Sequence, residues 1–305
     1  MTQTETWTIG RLLTWTTDYL RKKGSESARL DAEVLLAHAR KCQRIDLYTA
    51  FSEEPDETIK AAFREMVVRR AEGTPVAYLV GHKEFYSLEF RVNPDCLIPR
   101  PETEHLVVAA IDAAKLIVKS NAYKPAKANT PLMIADVCTG SGCIAVAIAK
   151  HVPYAKIVAC DNSEQALKIA SLNASHHSFD NRIDFFSGDL LEAIPADVAP
   201  FDLILSNPPY ISQLEYDQLS PGVKEHEPKS ALLSGPTGLE ISERLIAQAY
   251  DRLNPGGYLI VETSPMLAKQ LAGKFNETKR WAIQPTIKDL QGHPRIVIAQ
   301  RPPSE

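Results

Sequence analysis

The sequence has no excess of basic residues and no long apolar run. It carries 34 Lys and Arg against 38 Asp and Glu, which gives a net charge of −4 over 305 residues. Neutralising the phosphates of a long duplex requires a surplus of Lys and Arg, so the composition argues against a broad basic DNA-binding face. No stretch approaches the ~18 uncharged apolar residues of a membrane span. The first six residues lack the basic and apolar parts of a secretory signal, so we expect none.

Cysteine is scarce and odd in number. The five residues are Cys42, Cys96, Cys138, Cys143 and Cys160. Such scattered thiols indicate a reducing compartment, so we expect a cytoplasmic protein with free cysteines. Neither the cysteines nor His151 and the His176–His177 pair follow the spacing of a zinc site, and we expect no metal.

The chain divides into parts with different patterns. Its length predicts about two domains. Residues 1–83 show apolar stripes at helical spacing, with Thr8 as a cap and Gly24 as a stop for the first helix, which predicts a small helical domain. Residues 84–101 combine an alternating run with turn residues at 93–95, which predicts a β-hairpin linker. The polar, proline-punctuated stretch 120–131 is expected to be a surface connection.

From residue 102 onward, short apolar runs alternate with amphipathic stretches. The seven predicted strands are 132–138, 155–160, 182–187, 201–206, 257–263, 280–286 and 295–300. Helical patterns lie between most of them, at 142–151, 163–174, 238–253 and 265–274. This alternation indicates an α/β domain over 102–305 with a mostly parallel sheet. Only a short loop joins the last two strands, so we expect the final strand to be antiparallel to its neighbour.

Three strand ends of this domain carry aspartates, and the first of them leads into a glycine turn. The residues concerned are Asp136, Cys138, Thr139, Gly140, Ser141, Gly142, Asp161, Asp189 and Leu190. Two glycines in three residues suit backbone that approaches a ligand closely. Asp161 is placed to accept hydrogen bonds from a ribose, and Asp189 with Leu190 to border an adenine. Each aspartate alone is more simply a helix cap, but the three together favour a nucleoside pocket.

A nicotinamide dinucleotide is the alternative nucleoside for this turn. Its pyrophosphate usually requires a third glycine, and Ala145 stands at that position. Asp136 would repel a pyrophosphate, whereas it suits a cation. We therefore expect S-adenosyl-L-methionine, which carries a positive sulfonium, as the cofactor.

The end of the fourth strand is the most specific feature of the chain. It reads Asn207, Pro208, Pro209 and Tyr210. The prolines end the strand and hold the residues before them in extended backbone. The side-chain oxygen of Asn207 and the carbonyl of Pro208 form two acceptors for a planar NH₂ group, and Tyr210 supplies an apolar face. Pro-Pro-Tyr alone fits a simple strand end, but beside a nucleoside pocket we interpret the segment as the substrate site. Asn207, Pro208 and Tyr210 are then the catalytic residues, and Asn207 also borders the cofactor.

These motifs together resemble a known family. The Asp136–Gly142 turn and the Asn207–Tyr210 segment look like those of class I S-adenosylmethionine-dependent methyltransferases that modify an amide or exocyclic NH₂. The segment Ile98-Pro-Arg-Pro-Glu-Thr-Glu104, together with residues 75–81, 84–86 and 29–33, resembles the release factor glutamine methyltransferases, also called HemK or PrmC. The similarity covers nearly the whole chain.

The resemblance implies a fold and an activity. The fold is a seven-stranded, mostly parallel, Rossmann-like sheet with an antiparallel last strand, preceded by a helical domain that docks the substrate. Thr139 to Gly142 wrap the cofactor, Asp161 takes the ribose, and Asp189 with Leu190 border the adenine. Residues 207–210 hold the glutamine of the Gly-Gly-Gln loop of a peptide chain release factor, which is methylated at N5. This sequence departs from the family at Cys138, where many members carry glycine, and at Leu190, where some carry an aromatic residue.

Other interpretations stay open. A sister enzyme methylates a glutamine of a ribosomal protein, and an adenine-N6 methyltransferase of DNA or RNA shares the NH₂ pocket. The adenine methyltransferase has to flip a base and bind the nucleic-acid backbone, and the negative net charge of this chain argues against such binding. A nucleoside-binding module without activity has no use for a planar-amide clamp. The segment Glu225–Pro228 is either a lid or a surface loop, and Arg100 has an acidic partner that the sequence does not identify. We expect a monomer.

Overall fold

The computed structural model describes residues 6–119, 131–198 and 200–303. The helices are α1 (Ile9–Lys22), α2 (Ala28–Arg40), α3 (Asp46–Thr49), α4 (Glu57–Ala71), α5 (Val76–Val80), α6 (Glu104–Lys119), α7 (Cys143–His151), α8 (Glu164–His176), α9 (Gln213–Asp217), α10 (Pro221–Lys224), α11 (Lys229–Leu232), α12 (Glu240–Arg252) and α13 (Ala268–Glu277). The strands are β1 (His82–Phe85), β2 (Leu88–Arg91), β3 (Leu132–Val137), β4 (Ala155–Asp161), β5 (Ile183–Ser187), β6 (Phe201–Ser206), β7 (Ile211–Ser212), β8 (Leu233–Gly235), β9 (Leu253–Glu262), β10 (Ala282–Ile283), β11 (Ile287–Lys288) and β12 (Pro294–Gln300). Short 3₁₀ helices cover Pro101–Thr103 and Leu190–Ala193. The predicted connection at 120–131 lies outside the described residues except for Pro131.

The chain forms two compact units. The first contains the residues up to His82 together with Ser220–His226, and the second contains Lys83–Leu219 and Glu227–Glu305. The sequence analysis assigned all of 102–305 to one domain, so the placement of Ser220–His226 in the first unit is a difference. Within that unit, Gly222 approaches Gly73 so closely that a Cβ on it would lie 3.0 Å from the Gly73 carbonyl oxygen.

The first unit is helical because its apolar residues recur at helical spacing. As predicted, Thr8 caps α1, and its hydroxyl accepts a hydrogen bond from the Arg11 N–H over 3.3 Å. Gly24 follows α1 with a φ of +90°, a conformation that glycine adopts without strain. Leu13, Leu35 and other apolar side chains form a separate buried core.

A β-hairpin follows, with a different turn from the predicted one. The sequence analysis placed the turn at 93–95, but β1 and β2 are joined at Tyr86 and Ser87. Both residues have positive φ, +50° and +56°, without any glycine to signal it. Asn93 instead forms a turn after β2, where its side-chain oxygen accepts from the Asp95 N–H over 3.0 Å.

The main sheet has the strand order β10-β12-β9-β6-β3-β4-β5. Neighbours from β9 to β5 are parallel, and β12 is antiparallel to β9. The predicted α/β fold with an antiparallel last strand is thus confirmed. Side chains alternate between two buried clusters, so that Ile134 faces α6 and α7 while Ala135 faces α12 and α13.

The strand count differs slightly from the predicted seven. Within the predicted strand 280–286 only β10 forms, whereas β11 begins just after this range and pairs with β12 beside the main path as an eighth strand. Pro285 lies between β10 and β11 and has no N–H to donate to a ladder. Among the described residues, no helix is long and apolar enough to cross a membrane.

Candidate active site

A cavity of about 270 Å³ opens where the parallel strands end, close to the lower bound of ~300 Å³ for small-molecule sites. Gly140 after β3, Asp161 at the end of β4, Asp189 with Leu190 after β5, and Asn207 after β6 all line it. The carboxyl edge of a parallel sheet collects the residues that follow each strand, which brings these distant positions together. The sequence analysis had assigned them all to the cofactor pocket.

The lining of the cavity is acidic. Asp95, Asp161 and Asp189 line it, and none of the described lining residues is Lys, Arg or His. Asp189 forms an ion pair with Arg244 of α12 that is about half exposed. A pyrophosphate requires positive or N–H-rich surroundings, so this lining disfavours the dinucleotide alternative and suits a cationic ligand.

The carboxylate of Asp161 is held from two sides. Its Oδ2 accepts from the Gly140 N–H over 2.9 Å, and its Oδ1 accepts from the Ser163 N–H over 2.9 Å. Burial raises the pKa of Asp161, and the N–H groups of Ser163, Gly140 and Asn162 act in the opposite direction. A carboxylate has about four lone-pair positions, so both oxygens can accept further hydrogen bonds from a ligand.

The turn between β3 and α7 requires glycine for two different reasons. Gly142 has a φ of +79°, and a Cβ on it would lie 3.0 Å from Ala170 Cβ of α8. Gly140 has a φ of +55°, but a Cβ there would meet no atom within 4 Å, although the residue lines the cavity. Gly142 thus permits helix packing, whereas Gly140 keeps backbone open toward a ligand.

Cys138 occupies a position of backbone strain. Its φ is +61°, in the left-handed region where a residue with a Cβ is disfavoured by roughly 1–2 kcal/mol. That conformation explains why glycine suits this position. Cys138 lines the cavity, and burial raises the pKa of its thiol well above the ordinary value, so the thiol stays protonated.

Asp136, Thr139 and Ser141 lie behind the cavity wall and do not line it. Oδ2 of Asp136 accepts from the Thr139 hydroxyl over 2.5 Å and from the Ala145 N–H over 3.1 Å. Burial raises the pKa of Asp136 to about 7, and these two hydrogen bonds act in the opposite direction. Oδ1 of Asp136 and Oγ of Ser141 are buried without a hydrogen-bond partner among the described residues. These three predicted cofactor residues therefore brace the glycine turn.

The substrate segment predicted after β6 is firmly held. Asn207 Nδ2 donates to the Thr103 hydroxyl over 3.1 Å, and Asn207 and Pro209 line the cavity. Pro208 is buried, and Tyr210 packs against the apolar cluster that contains α12. Burial and the nearby Glu262 raise the pKa of Tyr210 to about 12, so its hydroxyl stays protonated. The structure thus brings the predicted acceptor segment to the edge of the predicted cofactor pocket.

Arg100 finds its acidic partner in the segment that follows the acceptor site. Its Nη2 donates to Glu227 Oε1 over 2.5 Å, and the Glu227 side chain is only 2% exposed. The adjacent Pro228 lines the cavity. The end of the Glu225–Pro228 segment is therefore part of the cavity wall.

Sequence reasoning missed several residues of the site. Thr103 and Glu262 stand beside the acceptor segment, and Asp95 to Leu97 line the cavity. Glu262 ends a parallel strand, as Asp161 does, and the rule that led to Asp161 could have identified it. The described residues contain no group of three or more His, Cys, Asp or Glu that could hold a metal ion.

Comparisons with known proteins find relatives of both parts of the chain. A family profile of the PrmC N-terminal domain matches residues 11–81, and one of the methyltransferase small domain matches residues 110–220. A release factor glutamine methyltransferase of Rhodopirellula baltica is 52% identical over 298 residues, covering 97% of each chain. One of Koribacter versatilis is 37% identical, covering 94% of this chain and 96% of its own. A crystal structure of a methyltransferase from Pyrococcus furiosus shares the fold, with 18% identity, a TM-score of 0.50, and coverage of 77% of this chain and 97% of that one.

Proposed function

The chain belongs to the release factor glutamine methyltransferase family, and on that premise we propose its reaction. It transfers a methyl group from S-adenosyl-L-methionine to the side-chain nitrogen, N5, of the glutamine in the Gly-Gly-Gln loop of peptide chain release factors. The observation that carries the proposal is the amide of Asn207. It stands at the rim of an acidic cavity, and its NH₂ group donates a hydrogen bond to the Thr103 hydroxyl. Its oxygen is thus left to accept a hydrogen bond from a substrate.

The cavity fits the proposed cofactor. S-adenosylmethionine supplies a methyl group on a positively charged sulfur, and the lining offers Asp95, Asp161 and Asp189 without a basic side chain among the described lining residues. Asp161 is held by two backbone N–H groups in a position to accept from ribose hydroxyls. Leu190 lies at the cavity with 5% of its surface exposed, as an apolar border for the adenine.

The acceptor segment fits a planar amide. The nitrogen of a glutamine side chain is a weak nucleophile because its lone pair is delocalised into the carbonyl. Asn207 Oδ1 and the Pro208 carbonyl can each accept one of its two hydrogens, which orients the nitrogen toward the methyl group. The same two oxygens stabilise the positive charge that develops on nitrogen as the methyl group arrives. Tyr210, with its hydroxyl protonated, offers an apolar ring to the plane of the amide.

Alignment supplies most of the rate enhancement in this proposal. Holding nitrogen, methyl carbon and sulfur in line can contribute roughly 7–11 kcal/mol toward the barrier. The extended backbone before each proline keeps the acceptor oxygens at fixed positions, so little reorganisation accompanies the reaction. The residues of this chain therefore bind and orient the two reactants and exclude water from them.

Mass analysis of a release factor co-expressed with this chain tests the proposal. We expect the mass of one added methyl group on the Gly-Gly-Gln glutamine and none on a variant factor with glutamate at that position. Incubation with labelled cofactor and, separately, release factor, ribosomal protein and DNA distinguishes the two alternative substrates. An unmodified glutamine in both experiments contradicts the proposal.

The cytoplasmic location and the monomeric state remain predictions. The location is supported by five cysteines that form no disulfide in the described part of the chain and by a substrate class that works on the ribosome. Light scattering coupled to size-exclusion chromatography tests the monomeric state.

A further inference from the structure

Asn207 and Glu262 occupy equivalent positions at the ends of neighbouring strands. Ser206 of β6 is in register with Val261 of β9, so Asn207 and Glu262 each stand one residue beyond this pair. Adjacent strands are about 4.8 Å apart, which brings the two residues side by side at the carboxyl edge of the sheet. The Glu262 side chain is buried, with 1% of the residue exposed, and its Oε2 has no hydrogen-bond partner among the residues that the structure describes.

Thr103 connects the two side chains. Its hydroxyl accepts from Asn207 Nδ2 over 3.1 Å and lies close enough to the Glu262 carboxyl group to lower the pKa of that group. Thr103 is 2% exposed and ends the short 3₁₀ helix before α6, so water does not compete for its hydroxyl. The three side chains therefore lie in series, from Glu262 through Thr103 to Asn207.

The number of hydrogens on these three groups fixes which of them donate and which accept. A hydroxyl has one hydrogen, and an ionised carboxylate can only accept. Thr103 therefore donates to Glu262 and turns its lone pairs to Asn207, which has to present NH₂. We propose that Glu262 is a positioning residue that, through Thr103, holds the Asn207 amide with Oδ1 left to accept from the substrate NH₂. This inference rests on the proposed function, because it takes Asn207 as the group that binds the substrate amide.

A neutral group at position 262 removes this constraint. A protonated carboxyl or a glutamine amide can donate to Thr103, whose own hydrogen is then available to Asn207 Oδ1. The Asn207 amide can turn over, and it then presents NH₂ to the NH₂ of the substrate. Two donors facing each other form no hydrogen bond, so the acceptor nitrogen loses its orientation.

The charged and titratable groups that face Glu262 are Arg295 of β12, Arg100 and Glu102 before α6, Tyr210 after β6 and the thiol of Cys143 in α7, whose pKa of about 12 keeps it protonated. Burial raises the pKa of Glu262 to about 7, Glu102 acts in the same direction, and Thr103, Arg295 and Arg100 act in the opposite one. The ionised form that positions Asn207 is therefore present above about pH 7 and lost as the pH falls. The turnover number follows the same course.

Steady-state kinetics of Glu262→Gln, Thr103→Val and Thr103→Ser test the positioning. We expect Glu262→Gln and Thr103→Val to lower kcat by about 10- to 100-fold, the range for residues that orient a ligand-contacting group. The dissociation constant of the cofactor should change by less than about threefold, because that is under ~0.7 kcal/mol. Thr103→Ser retains the hydroxyl and should restore most of kcat. In Glu262→Gln the decline of kcat below pH 7 should disappear, whereas Glu277→Gln at the exposed end of α13 should keep it.

A side-chain amide NMR signal tests the same inference without methyl transfer. The Asn207 NH₂ resonance, identified by its loss in Asn207→Ala, should shift with a midpoint near pH 7 in the wild type and not in Glu262→Gln. A wild type that methylates no release factor but shows this titration refutes the proposed function and supports the positioning. A Glu262→Gln variant with wild-type kcat, or an Asn207 signal that titrates equally in both proteins, overturns the positioning.

Discussion

The backbone N–H of Gly140 donates to Oδ2 of Asp161 over 2.9 Å, although the two residues follow different strands. This hydrogen bond joins the turn after β3 to the end of β4 and makes a continuous wall of the cavity. Because Ser163 N–H holds the other oxygen, the orientation of the carboxylate is fixed before any ligand arrives. Such preorganisation reduces the entropy that binding would otherwise cost.

Asp161→Asn should weaken cofactor binding without affecting a surface control. The variant loses the charge that strengthens hydrogen bonds to ribose, which contributes about 1.5–3 kcal/mol, or about 10- to 100-fold in Kd. Isothermal titration calorimetry with S-adenosylmethionine measures the change. Asp184→Asn is the matched control, because Asp184 of β5 is half exposed and pairs with Lys156 away from the cavity lining. Equal affinity in both variants would contradict the role of Asp161.

Asn207→Ala should separate binding from turnover. Removing one acceptor that stabilises developing charge typically costs about 10²–10³ in kcat. The cofactor Kd should rise by less than about threefold, since the other cavity residues are unchanged. Calorimetry and methylation assays on one preparation compare the two quantities, with the exposed Asn181→Ala as control. A parallel loss of affinity and kcat would show that Asn207 acts mainly on the cofactor.

Alanine at the two glycines of the β3–α7 turn should give different defects. Both substitutions introduce left-handed strain of roughly 1–2 kcal/mol. In Gly142→Ala the new Cβ also lies 3.0 Å from Ala170 Cβ, and overpacking adds about 1–3 kcal/mol. Urea denaturation should therefore show the larger destabilisation for Gly142→Ala, and calorimetry a weaker affinity for the cofactor in Gly140→Ala. The opposite order of stabilities would refute the packing role of Gly142.

Asp136→Asn should change the pH dependence of stability. The folded protein keeps a proton on Asp136 up to a pKa of about 7, whereas the unfolded chain releases it near pH 3.9. Between these values the folded state binds more protons, so this residue lowers the free energy of unfolding as pH rises. Asparagine does not titrate, so the variant should gain stability relative to the wild type between about pH 4 and 7, by up to roughly 4 kcal/mol. Above pH 7 the difference should stay constant.

Urea titrations of both proteins at several pH values measure this difference. Other buried carboxyl groups, among them those of Asp202, Glu227 and Glu262, are present in both proteins, and their contributions largely cancel. A difference that does not change between pH 4 and 7 would show that Asp136 is ionised in the folded state.

The sequence predicted the elements whose signal is local. The buried strands β3 and β6 are mostly apolar runs, and the Thr8 cap lies within one helical turn of its partner. The residues at strand ends could be predicted as a group, because parallel strands share one carboxyl edge. The same rule also predicted that Asp136 lines the cavity. It takes no account of burial, and the Asp136 side chain lies behind the cavity wall.

Contacts between residues far apart in the sequence, and unusual backbone conformations, have no local sequence signal. Thr103 contacts Asn207, which is 104 residues away in the sequence, and Arg100 contacts Glu227, which is 127 residues away. At such separations only the fold brings two residues together. The hairpin turn at Tyr86 and Ser87 has two positive φ values without glycine, so propensity favoured the Asn-Pro-Asp turn instead. Pro285, by contrast, signals the break in the predicted strand 280–286 in the sequence itself, because it has no N–H to donate.

If S-adenosylmethionine is the cofactor, as proposed, the acidic lining favours the charged methyl donor over the product that remains after transfer. Methyl transfer removes the positive charge from sulfur, so the molecule left behind has lost its attraction to the carboxylates of the cavity. At an effective dielectric constant of 20, a pair of charges 4 Å apart is worth about 4 kcal/mol, and even a fraction of that favours exchange of the used molecule for a new one. Relief from product inhibition would then be a property of Asp95 and Asp161, residues that take no part in the chemical step, because Asp189 is already paired with Arg244.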